Sequence, residues 1–185
     1  MSKEERILSA AREVFARYGY ARTTMGDVAQ TAGISRPALY LVFPGKEELF
    51  SAVLHQMNAE ALRDIKAGLA DCGSLEEKLN LALERWIARP YDVAYAYPDA
   101  RDFFSYAFPA MQEVAAEFQA FLADLLREPV CASGMKAAAE DMAQALLFSA
   151  HGFKVVAADG TDLRRMIALQ VHVFAAALRE QSGKE

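Results

Sequence analysis

Cysteine is scarce. Cys72 and Cys131 are the two thiols in 185 residues, and no CxxC spacing is present. A disulfide framework is excluded, and reduced thiols in the cytoplasm are expected. Histidine is nearly as rare, and positions 55, 151 and 172 lack metal-ligand spacing. HExxH, Glu-x-x-His, GxSxG, P-loop and GxGxxG patterns are all missing. An enzyme, a metal site and a cofactor therefore have no motif to stand on. No apolar run reaches the ~18 residues a membrane span needs. The charged start Ser2-Lys3-Glu4-Glu5-Arg6 does not read as a signal peptide. Positive charge is not in excess either: the net charge is −5, which excludes a globally basic nucleic-acid binder.

What is present points to helices. The chain is 54 % hydrophobic, with only 6 Pro and 10 Gly to punctuate it. That composition is globular and helical, and the length fits one large domain or two small ones. Charge is unevenly placed: residues 1–50 carry a net +1 and residues 51–185 a net −6. The asymmetry is compatible with DNA binding by a few placed groups.

Apolar residues Ile7, Ala11, Val14, Phe15 and Tyr18 recur at helical spacing, and Gly19 suits a C-cap. Thr24 is a good N-cap for a short helix over 25–32, with Asp27 at the capping-box position. Gly33, four residues after Ala29, permits the left-handed backbone of a tight turn. A long helix is expected from Lys46 to about Ala67. Ser74 and Glu77 form a Ser-x-x-Glu box for a helix that Arg89-Pro90 should break near Ala88. Residues 91–108 read as irregular or short-helical. A helix follows Pro109 to about Arg127, then a loop over 129–134. Two long helices, about 135–158 and 161–181, close the chain.

The segment "GISRPALYLVFPGKEELF", residues 33–50, carries the most information. Its apolar centre could be a buried strand, and periodicity alone leaves this open. The caps favour a helix over 35–43. Ser35 is an N-cap, Pro37 fits the first turn, and Pro44-Gly45 stops it. As a helix it has two sides: Ala38, Leu39, Val42 and Phe43 on one, Arg36, Pro37, Tyr40 and Leu41 on the other. Three short helices in this order suggest a helix-turn-helix unit.

Residues 6–54 resemble the N-terminal DNA-binding domain of the TetR/AcrR family of transcriptional regulators. The signals fall in the family's order: Gly19-Tyr20, Thr23-Thr24, Asp27-Val28-Ala29, Ala32-Gly33-Ile34-Ser35, Leu39-Tyr40, Phe43 and Lys46-Glu47. The resemblance implies an all-α chain, with a helix-turn-helix domain over 1–45 and a ligand-sensing, dimerising helical domain over 46–185. It also implies that 35–43 is the recognition helix and that Tyr40 contacts phosphate. Arg36 is the candidate for a base edge or a phosphate clamp, and Pro37 for apolar base contact. Thr24, Ser35 and Lys46 are candidate phosphate or positioning residues. The family often places His before the Phe; here Val42 stands there, beside an equally apolar Leu41.

The last two helices are apolar on more than one side, as in "MAQALLFSAHGF" and "MIALQVHVFAAAL". By resemblance they form a homodimer interface, which would set two recognition helices on a palindromic double-stranded DNA operator. Seven aromatics fall within 91–108. Core packing explains them, and so does a pocket for a small apolar or aromatic effector. Candidate lining residues are Trp86, Phe103, Phe104, Phe118, Phe121, Phe148 and His151. Asp92, Asp99 and Asp102 are candidates for favouring a cationic ligand. The expected function is a cytoplasmic, ligand-responsive repressor. The alternatives are a DNA-binding dimer without an effector and a helical-bundle enzyme.

Overall fold

The computed structural model describes residues 2–97, 102, 103 and 105–182. Among these residues every regular element is helical. The elements are α1 (Lys3–Arg22), α2 (Met25–Thr31), α3 (Arg36–Tyr40), α4 (Lys46–Gly68), α5 (Leu75–Leu83), α6 (Arg89–Ala96), α7 (Pro109–Ser133), α8 (Ala139–Val156) and α9 (Gly160–Ser182). They form two compact units: Met1–Ala59 with Val93–Val114, and Glu60–Asp92 with Ala115–Glu185. The division falls inside α4 rather than after residue 45, and part of the chain after α5 returns to the first unit.

In the first unit, α1 starts with a reciprocal capping box between Ser2 and Glu5. Ile7, Ala11, Val14 and Phe15 form its buried stripe. Gly19 adopts φ 76° and interrupts α1, and one further turn runs to Arg22. The turn from α2 to α3 is a Schellman motif. Ile34 N–H reaches the Ala29 carbonyl at 3.0 Å, Gly33 N–H reaches Gln30 at 3.1 Å, and Gly33 sits at φ 65°. Val28, Ala29, Leu39, Phe43, Leu49, Phe50 and Val53 complete this core.

α3 is shorter than the helix expected over 35–43. Val42 and Phe43 N–H both return to the Leu39 carbonyl, at 2.9 and 3.0 Å, so the last turn tightens after Tyr40. Pro44 explains this, because it biases Phe43 away from helical geometry.

Two expected helix breaks are absent. Arg89-Pro90 does not end the helix after α5. Residues Glu84–Ala88 widen into one π turn, and the Arg89 N–H bonds the Glu84 carbonyl. α6 then runs on through Pro90. A π turn shifts the ladder by one residue, which accommodates a missing donor. Pro129 likewise lies inside α7 instead of starting a loop. Leu122, Leu126 and Val130 are buried along one row, and their burial outweighs the lost hydrogen bond. Gly134, at φ 66°, follows the true end. α8 begins at Ala139, later than the expected 135, while α9 closes the chain as expected. No described helix is long and apolar enough to cross a membrane.

Candidate nucleic-acid interface

The candidate interface is built on α3 and the start of α2. Ser35 caps α3, its hydroxyl accepting the Ala38 N–H at 3.3 Å. Pro37 occupies the first turn. Leu39 is fully buried and Phe43 is 7 % exposed, which fixes the rotation of the helix. The opposite side is then open: Arg36 and Pro37 are exposed, Tyr40 is 50 % exposed and Leu41 is 86 % exposed. The two sides divide as the sequence predicts.

Thr24 is the N-cap of α2. Its hydroxyl accepts the Asp27 N–H at 3.2 Å, while its own N–H and O–H donate to the Asp27 carboxylate at 2.8 and 2.7 Å. The hydroxyl of Thr24, its N–H and the nearby Arg36 charge hold the Asp27 carboxyl below the usual range. Arg36 lies across α2 at Gly26. A Cβ added to Gly26 would stand 2.7 Å from both Cζ and Nε of that guanidinium. Arg36 thereby joins the open side of α3 to the first turn of α2.

Lys46 is placed differently from a free phosphate ligand. It is half-buried, and its Nζ donates to the carbonyls of Tyr20 (2.9 Å) and Thr23 (3.1 Å). It also lies 4.2 Å from the centre of the Tyr20 ring. One of its three N–H groups remains for an outside acceptor.

Gly26 is a residue that sequence reading undervalued, although a glycine inside a predicted helix is a weak signal of close approach. The exposure of Leu41 follows the sequence reading, which sets it on the open side with Arg36, Pro37 and Tyr40.

Residues 7–53 match the family described as bacterial regulatory proteins, tetR family. Residues 7–53 thus form an N-terminal domain of the tetR family type. The HTH-type transcriptional regulator RutR of Escherichia coli (strain K12) is 34 % identical over 103 residues, 56 % of this chain and 46 % of RutR. TtgR of Pseudomonas putida is 42 % identical over 52 residues, 28 % of this chain and 25 % of TtgR. The chain thus spans about half, or less, of the curated relatives it matches. Solved structures share the fold over nearly the whole length. A transcriptional regulator from Cytophaga hutchinsonii is 20 % identical with a TM-score of 0.73, covering 95 % of this chain and 96 % of that one. The fatty acid degradation regulator FadR from Bacillus halodurans is 19 % identical with a TM-score of 0.68, covering 92 % and 95 %.

The residues read as ligand-lining do not gather at one place. Trp86, Phe118, Phe121 and His151 do come together in the second unit. Trp86 stacks on Phe118 with ring centres 4.4 Å apart and planes 3° from parallel, Phe121 follows at 6.2 Å from Phe118, and His151 lies 6.1 Å from Trp86. Burial and the nearby Lys154 charge push the His151 imidazole down to about 3, and burial pushes Lys154 down to about 8. Phe103 belongs instead to the first-unit core, 5.5 Å from Phe50 and 6.2 Å from Phe15. Phe148 is half exposed on α8. Phe104 lies outside the described residues. A cavity of about 600 Å³ opens in the first unit beside Tyr20, Phe50 and Phe108, with Glu47, Glu48 and Glu113 on its wall. None of the six described ones borders it.

The aspartates read as possible ligand attractors have structural partners. Asp92 is held by the Arg164 guanidinium, at 2.6 and 3.2 Å. Asp102 accepts two backbone N–H groups of α1. Asp99 lies outside the described residues. No group of three or more His, Cys, Asp or Glu able to hold a metal occurs among the described residues.

Proposed function

We propose that this chain is a cytoplasmic DNA-binding transcriptional repressor that acts as a homodimer on a palindromic operator. The separation of α3 into a buried side (Leu39, Phe43) and an open side (Arg36, Pro37, Tyr40, Leu41) carries this reading. A short helix seated in that way presents base-reading groups to a major groove. Arg36 reads a base edge or clamps phosphate. Tyr40 contacts phosphate through its hydroxyl. Thr24 and Ser35 hold the two helix starts in position. Lys46 braces the end of α1 and offers its remaining N–H to the backbone of DNA.

The dimer reading rests on open apolar surface in the last two helices. Phe148, Val155 and Val156 on α8 and Leu169 and Val173 on α9 are each between 50 % and 86 % exposed. Large apolar side chains left open on two helices that pack on each other suit a protein interface. A symmetric pairing of α8 and α9 with their copies covers it.

For regulation, an apolar or aromatic effector near Trp86 and Phe118 would bias α4, the helix that contributes to both units. The close Trp86–Phe118 stack also favours a second reading, a DNA-binding dimer whose second unit is filled by its own side chains. Sequencing of DNA fragments retained by the purified chain tests the proposal. A palindromic motif is expected, and Arg36→Ala with Tyr40→Phe should abolish its retention. Retention undiminished in that variant would sink the site assignment.

A further inference from the structure

We infer that Leu41 is a specificity residue that reads the C5-methyl group of a thymine in each half-site. The inference rests on the proposed DNA-binding role of α3 and adds what the tip of that element selects.

Leu41 is 86 % exposed although its neighbours Leu39 and Phe43 are buried. Its backbone is helical (φ −68°, ψ −21°), and its N–H bonds the Pro37 carbonyl at 3.1 Å. Leu41 therefore lies one turn beyond Pro37 on the same side of the helix, since positions four apart are neighbours. Pro37 and Leu41 make a continuous apolar strip flanked by Arg36 and Tyr40. Arg36 meanwhile lies against Gly26 of α2, and Leu41 stands open at 86 % exposure beside it.

An exposed leucine elsewhere would need no special explanation. On a base-reading surface it does. Pressed against base edges, a leucine covers polar atoms and offers them no hydrogen bond. Buried acceptors such as guanine O6 and N7, or the cytosine N4 amino donor, would then be left unsatisfied. The thymine methyl is the apolar group that the major groove presents. A thymine opposite Leu41 turns a penalty into apolar contact, and every other base leaves the penalty in place. Discrimination thus arises from both attraction and rejection. Val42 takes no part, because it is half-buried on the other side of the helix.

The test uses the full chain and the operator recovered from retained fragments. Each thymine of the operator is replaced in turn by deoxyuridine, which lacks only the methyl group, and affinity is read by fluorescence anisotropy. One thymine per half-site should lose about fourfold in affinity, the worth of one buried methyl group. The same replacement should change affinity less than twofold in Leu41→Ala, which is otherwise folded because the side chain is exposed. Tight binding with no methyl-sensitive thymine would overturn the inference while leaving the DNA-binding reading intact. So would a deoxyuridine loss that is the same in Leu41→Ala as in the parent chain. A chain that retains no DNA sequence at all would overturn both.

Discussion

Asp102 caps the turn of α1 that begins at Tyr20. Its two carboxylate oxygens accept the N–H of Tyr20 at 2.9 Å and of Ala21 at 2.8 Å. Gly19 breaks the helical ladder just upstream, so these N–H groups have lost their usual carbonyl partners. An acceptor some 80 residues away in sequence replaces them. Asp102→Ala should cost about 2–3 kcal/mol in urea unfolding at pH 7, the range for charge-assisted hydrogen bonds. Asp102→Asn, which keeps one acceptor, should recover part of that loss.

Lys46 braces the same turn from the other side through the Tyr20 and Thr23 carbonyls. Its replacement should therefore register in stability and not only in DNA affinity. Lys46→Met should lower unfolding free energy by about 1–2 kcal/mol, discounted for partial exposure. The salt dependence of DNA binding should fall by about one counterion or less.

Gly26 is the seat of the Arg36 guanidinium. An alanine there drives the guanidinium away, at little cost because it is the flexible end of a side chain. Gly26→Ala should raise thermal stability slightly, by about 0.5 kcal/mol or less at this helix start. Operator affinity should change by roughly threefold or more through the displaced Arg36. Unchanged affinity would separate Arg36 from recognition.

The exposed apolar surface of α8 and α9 gives a test of assembly. Phe148→Glu with Val155→Glu places two charges where the proposed partner packs. Sedimentation should show a monomer, while circular dichroism stays helical because both side chains are exposed. Operator affinity should fall by roughly 100-fold or more, since two linked half-sites become two separate binding events.

His151 links stability to pH. Burial first, then the Lys154 charge, sets its folded value at about 3, well below the unfolded value of about 6.5. Between these values the unfolded chain binds a proton that the folded chain does not. Stability is thus fully present above about pH 6.5 and falls as pH drops toward 3. The urea midpoint should decrease from pH 7 to pH 4, and His151→Gln should flatten that slope. Lys154 acts with the same sign at higher pH: its folded value of about 8 lies below the ordinary 10.5, so its contribution grows between those values.

The local chemistry of the first unit was legible in the sequence. Ser2 aside, its caps and turns are motifs of a few residues: Thr24 with Asp27 and Ser35 with Ala38 through side chain and backbone, Gly33 after Ala29 through backbone alone. Such signals survive in a linear reading because they span one turn. The same holds for Ser74 and Glu77, whose box forms as expected. The prolines misled for the opposite reason. Pro90 and Pro129 are local breakers, yet tertiary burial along α7 and a π turn before α6 carry the helix past them. Long-range pairings were out of reach altogether. Nothing local to Asp102, Asp92 or Lys46 announces that their partners are Tyr20, Arg164 and Thr23. The aromatics over 91–108 allow core packing or a pocket wall; Phe103 among them packs in the first-unit core, while the candidate lining residues Trp86, Phe118, Phe121 and His151 meet in the second unit.

The Trp86–Phe118 stack makes the second unit optically addressable. Trp86 is the single tryptophan of the chain. It is buried, and its indole lies nearly parallel to one phenyl ring. All indole emission therefore comes from one known place. A molecule entering beside Phe118 would shift or quench that emission, whereas an event confined to α1–α3 would leave it unchanged. A single cuvette can thus separate an effector acting on the second unit from DNA docking on the first.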